Sequence, residues 1–296
     1  MNRHERTRTS ARVPPRRLGR LPVWSLLLAA ACAGDEEAAP AVDTATGELA
    51  AATPWAEGTP AEAGLDTARL RALVEAVEGG TLSNLHSVVV VRGDRIVFEA
   101  YFEGTDERRG DPIGTVRFDR TMLHDMRSVT KSITATLIGL AQDRGLLNVD
   151  DPVADYLPAD APAPPADLTI RHLLTMTSGF AWDERSYPYT DPRNSETAMD
   201  LAESSVGFVL TRPRSAPPGA RFEYCGGCTM LLAVIVREAT GQHLDAFAEE
   251  SLFGPLGIHE YEWLRHSDGL PVAASGLRLR PRDLARIGAL YESGGL

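Results

Sequence analysis

Hydrophobic and polar positions follow two periods along the chain. Residues 87–91 form a short β-branched run and residues 95–102 alternate, with a turn at residues 92–94 between them. This arrangement predicts a β-hairpin. Elsewhere, apolar residues recur every three or four positions, which predicts helices. These helices cover residues 62–78, 128–140, 168–176, 229–239, 244–252 and 284–291. A two-stranded hairpin is not stable alone, so we expect further strands beside it.

The N-terminal segment is similar to an export signal. Seven arginines precede an apolar stretch at residues 21–31, and a basic lead, a short apolar run and small residues before the cleavage site define such signals. The run Leu28-Ala29-Ala30-Ala31-Cys32 resembles a lipobox, with its leucine one place earlier than usual. We expect residues 1–31 to be a signal peptide and Cys32 to be the lipidated first residue of a periplasmic or cell-envelope lipoprotein. An ordinary signal peptide followed by an incidental cysteine is the alternative.

The residues after Cys32 predict a tether and then one folded domain. Residues 32–62 are rich in Ala, Glu, Pro and Thr without periodicity, which is typical of a flexible linker. We place the domain at residues 63–296. The formal net charge of -11 argues against a nucleic-acid partner, which would need a basic face. No apolar run reaches the roughly 18 residues that cross a bilayer, so we expect membrane contact only through the lipid on Cys32.

One serine and one lysine carry a chemical signal. Lys131 is the only lysine among the 30 basic residues of the sequence, and it stands three positions after Ser128. Residues i and i+3 share one face of a helix, so the two side chains can touch. A serine hydroxyl is a weak nucleophile until a base takes its proton. A neutral lysine amine can be that base, whereas arginine stays protonated. The spacing therefore predicts nucleophilic catalysis; a surface lysine beside a helix-capping serine is the alternative.

Three stretches of the chain resemble the serine β-lactamase-related family. They are residues 126–158, residues 168–179 and residues 218–224. This family includes class C β-lactamases, penicillin-binding proteins, esterases and 6-aminohexanoate-dimer hydrolases, and the resemblance covers about residues 55–296. It implies a mixed α/β (α+β) β-lactamase/transpeptidase-like fold, with an antiparallel sheet flanked by helices and a helical subdomain.

The resemblance also implies a mechanism. Ser128 would be the acylated nucleophile and one oxyanion donor through its backbone N–H, with Lys131 as its base. Tyr224 matches the tyrosine of the family's Tyr-x-Asn motif and would relay a proton to the leaving group. Such acyl-enzyme chemistry acts on a small ester, amide or peptide substrate and uses no metal or cofactor. A D-alanyl carboxypeptidase and a catalytically inactive homologue are the alternatives to an esterase or amide hydrolase.

Two departures from the family's motifs change the expectation. Gly226 stands where the motif has its asparagine. That asparagine amide contacts substrate and lysine in β-lactamases, so its loss favours an esterase or amide hydrolase. The family's third motif, Lys-Thr-Gly or a His-x-Gly equivalent, does not occur in the sequence. We therefore expect the chain to be truncated, with the C-terminal strands of the sheet missing.

Four residues are candidates for substrate binding. Trp182 and Tyr187 follow the second matched stretch, together with Tyr189, and these aromatic side chains predict either a pocket wall or a cover over the core. Cys225 and Gly226 follow Tyr224 directly, so we expect them at the rim of the site.

Cysteine and histidine spacing gives no metal site. The Cys225-x-x-Cys228 pair cannot close a four-ligand zinc site alone, and no histidine stands at ligand spacing. In an exported protein the pair predicts either a local disulfide or two reduced thiols. We expect His172 to have a role in helix packing and not to act as a catalytic base.

Overall fold

The computed structural model describes residues 54–295, so the predicted signal peptide and Cys32 lie outside the described residues. The described strands are β1 (Ala56–Glu57), β2 (Ser87–Arg92), β3 (Arg95–Tyr101), β4 (Glu103–Arg108), β5 (Asp111–Arg117), β6 (His124–Asp125), β7 (Tyr261–Trp263) and β8 (Leu277–Leu279). The described helices are α1 (Thr67–Glu78), α2 (Val129–Asp143), α3 (Ile170–Leu174), α4 (Ser195–Asp200), α5 (Ser205–Leu210), α6 (Gly226–Thr240), α7 (Leu244–Ala248) and α8 (Pro281–Glu292). No helix in this part of the chain is long and apolar enough to span a membrane.

The strands within residues 54–295 form three small sheets. β2 and β3 are the predicted hairpin, in which Ser87 pairs with Tyr101 and Arg92 pairs with Arg95. β4 and β5 form a second antiparallel hairpin. β8 lies between β6 and β7 and is antiparallel to both. Helices and mainly antiparallel strands together give the mixed α/β class that the sequence predicts.

The end of the predicted tether is part of the fold. Ala56 pairs in parallel with Arg95 of β3, and the Trp55 indole donates a 3.3 Å hydrogen bond to the carbonyl of Arg282. Such a short strand is held by backbone hydrogen bonds, which leave no hydrophobic period in the sequence. Residues 55–57, which the sequence assigns to the tether, therefore belong to the fold. α1 in turn starts later than its periodicity predicts, because the Asp66 carboxylate caps it.

The core is built around α6. Residues 226–236 of this helix are all buried, and α2, α3, α5 and α7 pack against it. A helix that is apolar on every side has to be surrounded in this way. Gly241 ends α6 in the left-handed conformation, with φ of 73°, which glycine adopts without steric cost. On α2, the buried residues Leu137 and Ile138 belong to the same core.

The N-terminal ends of α2 and α6 lie close together. Ser128 is the N-cap residue of α2 and Cys225 is the N-cap residue of α6. The segment before β8 joins this corner, because the Thr134 hydroxyl of α2 donates a 3.0 Å hydrogen bond to the carbonyl of Ala273. Two helix starts and one strand entry thus converge at one end of the core.

Candidate active site

The three predicted catalytic side chains meet at this convergence. The phenol of Tyr224 donates a hydrogen bond of 2.8 Å to Oγ of Ser128. Nζ of Lys131 lies 3.5 Å from the same oxygen, one helical turn along α2, as the spacing predicts. Nζ also lies 4.9 Å from the centroid of the Tyr224 ring. Ser128 Oγ therefore has a potential proton acceptor and a potential proton donor within reach.

Lys131 is held in place from several sides. Its residue exposure is 8%, and lysines are seldom that buried unless they are paired. Nζ donates a 3.0 Å hydrogen bond to the carbonyl of Ala274, which precedes β8. It also lies 3.8 Å from Oε2 of Glu196 on α4. These contacts keep the amine directed at Ser128 and away from solvent.

The turn before Ser128 is strained and tightly bonded. Arg127 has a φ of 47°, a left-handed conformation that non-glycine residues adopt at a cost of about 1–3 kcal/mol. The Asp125 carboxylate accepts the backbone N–H of Arg127 at 3.2 Å and that of Arg109 at 2.7 Å. This carboxylate thereby ties the start of α2 to the turn between β4 and β5.

Two buried glutamates stand behind the catalytic group, and the sequence reasoning did not find them. Glu184 and Glu196 are each 4% exposed. Oε1 of Glu196 accepts a 2.8 Å hydrogen bond from the hydroxyl of Ser275. Oε1 of Glu184 accepts the backbone N–H of Gly226 and the indole N–H of Trp182. Burial, with the Glu196 carboxylate close by, raises the pKa of Glu184 to about 7.

A cavity of about 420 Å³ opens beside Ser128. The residues that line it are mainly of polar or charged types and include Glu107, Arg109, Arg127, Tyr189, Thr190, Glu196, Thr197, Asp200 and Ser275. Ser128 itself is exposed at this surface. A substrate in the cavity can therefore reach Oγ directly.

The four predicted substrate-binding residues lie outside this cavity lining. Trp182 is buried in the core at 4% exposure, with its ring edge-on to Phe208. The guanidinium of Arg193 lies over the ring of Tyr187, 4.3 Å from the centroid of that ring. Trp182 belongs to the core, which is the alternative that the sequence left open. Of the three aromatic residues in this loop, Tyr189 is the one that lines the cavity.

The motif after Tyr224 is also buried. Cys225 is 1% exposed and Gly226 is buried at the first turn of α6, so neither forms an exposed rim. Sγ of Cys225 accepts the backbone N–H of Cys228 at 3.1 Å, and both cysteines are free thiols. Nδ1 of His172 accepts the backbone N–H of Thr169 at 3.2 Å and completes a capping box on α3, which agrees with a helix-packing role.

A family model described as Beta-lactamase matches residues 68–294. The chain belongs to the beta-lactamase family. This match includes Ser128, Lys131 and Tyr224, so the three side chains that meet in the structure all lie within the beta-lactamase region. It also confirms the resemblance that the sequence motifs indicate.

Named relatives in this family have several activities. Esterase EstB of Burkholderia gladioli is 32% identical over 217 residues, which cover 68% of this chain and 53% of the relative. The D-alanyl-D-alanine-carboxypeptidase/endopeptidase AmpH of Escherichia coli (strain K12) is 26% identical over 217 residues, which cover 71% of this chain and 54% of the relative. The chain thus spans about half the length of the curated relatives it matches.

Solved structures confirm the predicted fold. The crystal structure of a penicillin binding protein from Bacillus halodurans has a TM-score of 0.58 at 24% identity, covering 76% of this chain and 74% of that one. The chain accordingly has the β-lactamase/transpeptidase-like fold.

Proposed function

We propose that this chain is a serine hydrolase that forms an acyl-enzyme on Ser128 with an ester or amide substrate. The observation that carries the proposal is the placement of Ser128 Oγ, 2.8 Å from the phenol of Tyr224 and 3.5 Å from Nζ of Lys131. A nucleophile in hydrogen-bond reach of a base that is itself fixed by its neighbours is the arrangement that covalent catalysis needs.

Each side chain has a defined part in the reaction. Oγ of Ser128 attacks the carbonyl carbon of the substrate while Lys131 accepts the hydroxyl proton. The backbone N–H of Ser128 donates to the developing oxyanion. The bond to the alcohol or amine then breaks, and the phenol of Tyr224 gives the leaving group its proton and regains one from the Lys131 ammonium. Water attacks the resulting ester, which releases the acid and returns the proton to Ser128.

Two observations favour esters and amides over β-lactams. Gly226 presents no side-chain amide to the site, and one similar protein is named an esterase, EstB. The similarity to AmpH makes a D-alanyl-D-alanine carboxypeptidase the second candidate.

Burst kinetics with p-nitrophenyl butyrate test the proposal. We expect one equivalent of p-nitrophenol per active site, followed by slower turnover, and no burst from Ser128→Ala. Benzylpenicillin separates the two candidates, because stable penicilloylation of Ser128 without ester turnover would favour the carboxypeptidase. A folded protein that gives neither product nor acyl-enzyme with either reagent would contradict both.

We also propose that the protein is exported and held at the cell envelope by a lipid on Cys32, as its leader sequence predicts. Metabolic labelling with a palmitate analogue should mark the wild-type protein. The Cys32→Ser variant should remain unlabelled; equal labelling of the variant would contradict the anchor.

A further inference from the structure

The space beside Gly226 is occupied by two carboxylates. A Cβ atom placed on Gly226 would lie 2.5 Å from Oε2 of Glu196 and 2.8 Å from Oε1 of Glu184. Real Cβ atoms essentially never come within 3.0 Å of another heavy atom. Any side chain at this position would therefore displace one or both glutamates. The two buried carboxylates thus occupy space that an asparagine at position 226 would need.

Glu196 connects this space to the catalytic amine. Its Oε2 lies 3.8 Å from Nζ of Lys131, and its Oε1 accepts the 2.8 Å hydrogen bond from Ser275. Ser275 follows Ala274, whose carbonyl accepts the 3.0 Å hydrogen bond from Lys131. One carboxylate and one carbonyl thus constrain the amine from two elements of the fold.

Glu184 borders the same space beside Gly226. Its Oε1 accepts two N–H donors, from the Gly226 backbone and the Trp182 indole. Both carboxyl groups are buried and border the same space beside Gly226, and two carboxylates that share a site cannot both ionise without a large cost. The pair therefore keeps one proton near neutral pH, which agrees with the raised pKa of Glu184.

Other charged and titratable groups face the pair. From the turn between β4 and β5, Nη2 of Arg109 is 3.7 Å from Oε1 of Glu196 and 2.6 Å from Oδ2 of Asp200. The phenol of Tyr189 donates to Oε2 of Glu184 at 3.3 Å. Other titratable groups that interact with the pair are Asp200, Cys225 and His266. Arg109 also forms an ion pair with Asp200, so its charge is divided between two carboxylates. Lys131 is the catalytic cation, and its Nζ atom pairs with Glu196.

We infer that Glu196 is a positioning residue that fixes Lys131 by charge, and that Glu184 keeps a proton so that the pair presents a single negative charge. This inference rests on the proposed function, because it assigns a role in the proton transfer from Ser128. When Lys131 takes the proton of Ser128, the Glu196 carboxylate stabilises the ammonium that forms. No proton moves to either glutamate, and the proton on Lys131 later passes through Tyr224 to the leaving group.

The test compares Glu196→Gln and Glu184→Gln with a matched control, Glu203→Gln, whose side chain is exposed just after α4. Ester hydrolysis by the full chain is measured as kcat and KM across pH 5 to 9. Glu196→Gln should lower kcat by about tenfold to a hundredfold and change KM by less than about threefold. Its pH profile should differ from that of wild type, because the Glu196 carboxylate no longer faces the Lys131 amine.

Glu184→Gln has a different expected result. A glutamine imitates the protonated carboxyl, so activity at pH 6 should stay within about threefold of wild type, while the variant should retain more activity than wild type above pH 8. If Glu196→Gln does not unfold cooperatively, the Glu184→Gln variant is used to test the inference. A folded Glu184→Gln protein with more than about a tenfold loss at pH 6 would overturn the proton assignment.

The failure of this inference differs from the failure of the proposed function. A wild-type protein that shows no burst contradicts the function itself. A wild-type burst together with a Glu196→Gln pH profile that matches the Glu203→Gln control would leave the function standing and overturn the positioning role.

Discussion

The phenol of Tyr224 donates a 2.8 Å hydrogen bond to Oγ of Ser128, although 96 residues separate the two along the chain. The contact depends on two helix starts, because Ser128 occupies the N-cap position of α2 and Tyr224 directly precedes the N-cap residue of α6. Packing of these two helices in the core therefore sets a distance on which proton transfer depends. Chemistry at this site is coupled to the geometry of the core.

Replacing Tyr224 by phenylalanine should slow acyl transfer without harming the fold. The variant loses one hydroxyl of a half-buried side chain and keeps the ring beside Lys131. We expect kcat to fall by about 10²–10⁴-fold, the range for loss of a general acid, with an unchanged melting temperature. Steady-state kinetics and a thermal melt check this; near wild-type kcat in Tyr224→Phe would remove Tyr224 from the mechanism.

Replacing Lys131 by arginine should abolish activity even though the positive charge is kept. Arginine does not give up its proton at working pH, so it cannot accept one from Ser128. We expect the burst of Lys131→Arg to be at least about 10²-fold slower than wild type. The control is Arg193→Lys, an exposed ion pair with Asp191. A Lys131→Arg protein with an ordinary burst would show that a fixed charge, and not a base, is what the site requires.

The stability of the protein should depend on pH through the ionisation of Glu184. Its pKa of about 7 in the folded state lies above its ordinary value of 4.5, so the folded protein binds more protons between these pH values. The contribution of Glu184 to stability is then full below pH 4.5 and is lost as pH rises to 7.

Urea unfolding of wild type and Glu184→Gln at pH 5 and pH 7.5 measures this effect. Relative to the variant, wild type should lose on the order of 2 kcal/mol of unfolding free energy between the two pH values. If the unfolding free energies of the two proteins changed equally with pH, the pKa of Glu184 would be the same in the folded and unfolded states.

Two glycines should respond to alanine in opposite directions. Gly179 has a φ of 78°, and a Cβ atom there would overlap the carbonyl oxygen of Ala216. Gly139 is an exposed residue of α2 with no atom within 4 Å of a built Cβ. We expect Gly179→Ala to destabilise the fold by more than about 1 kcal/mol and Gly139→Ala to stabilise it by about 0.5–1 kcal/mol. Urea unfolding gives both values, and a harmless Gly179→Ala would contradict the backbone geometry before Phe180.

Strong periodicity allowed part of the fold to be predicted from the sequence. The β2–β3 hairpin and the helices α2 and α6 have clear apolar patterns, and the structure confirms them near the predicted positions. The β4–β5 hairpin was not predicted, because its strands are largely polar and contain Gly104, Pro112 and Gly114. β7 and β8 are three residues each, too short for a period to appear.

The candidate site was predictable only where one short segment carries the chemistry. Ser128 and Lys131 lie one turn apart on α2, so their spacing is visible in the sequence. Glu184 and Glu196 approach Lys131 only through tertiary packing, and no local pattern distinguishes them from surface glutamates. The unusual Gly226 was the one available signal, since it stands where the family's Tyr-x-Asn motif has an asparagine. Trp182 shows the opposite problem, because an aromatic residue in a loop has the same local sequence whether it lines a pocket or covers the core.

Covalent labelling of Ser128 tests the central claim most directly. The purified full chain is treated with a fluorophosphonate, and the adduct is located by mass spectrometry of its peptides. We expect one adduct per chain on Ser128, none in Ser128→Ala, and much slower labelling in Lys131→Arg. A protein that melts cooperatively but stays unlabelled, or that is labelled at another residue such as Ser132, would contradict the assignment of Ser128 as the nucleophile.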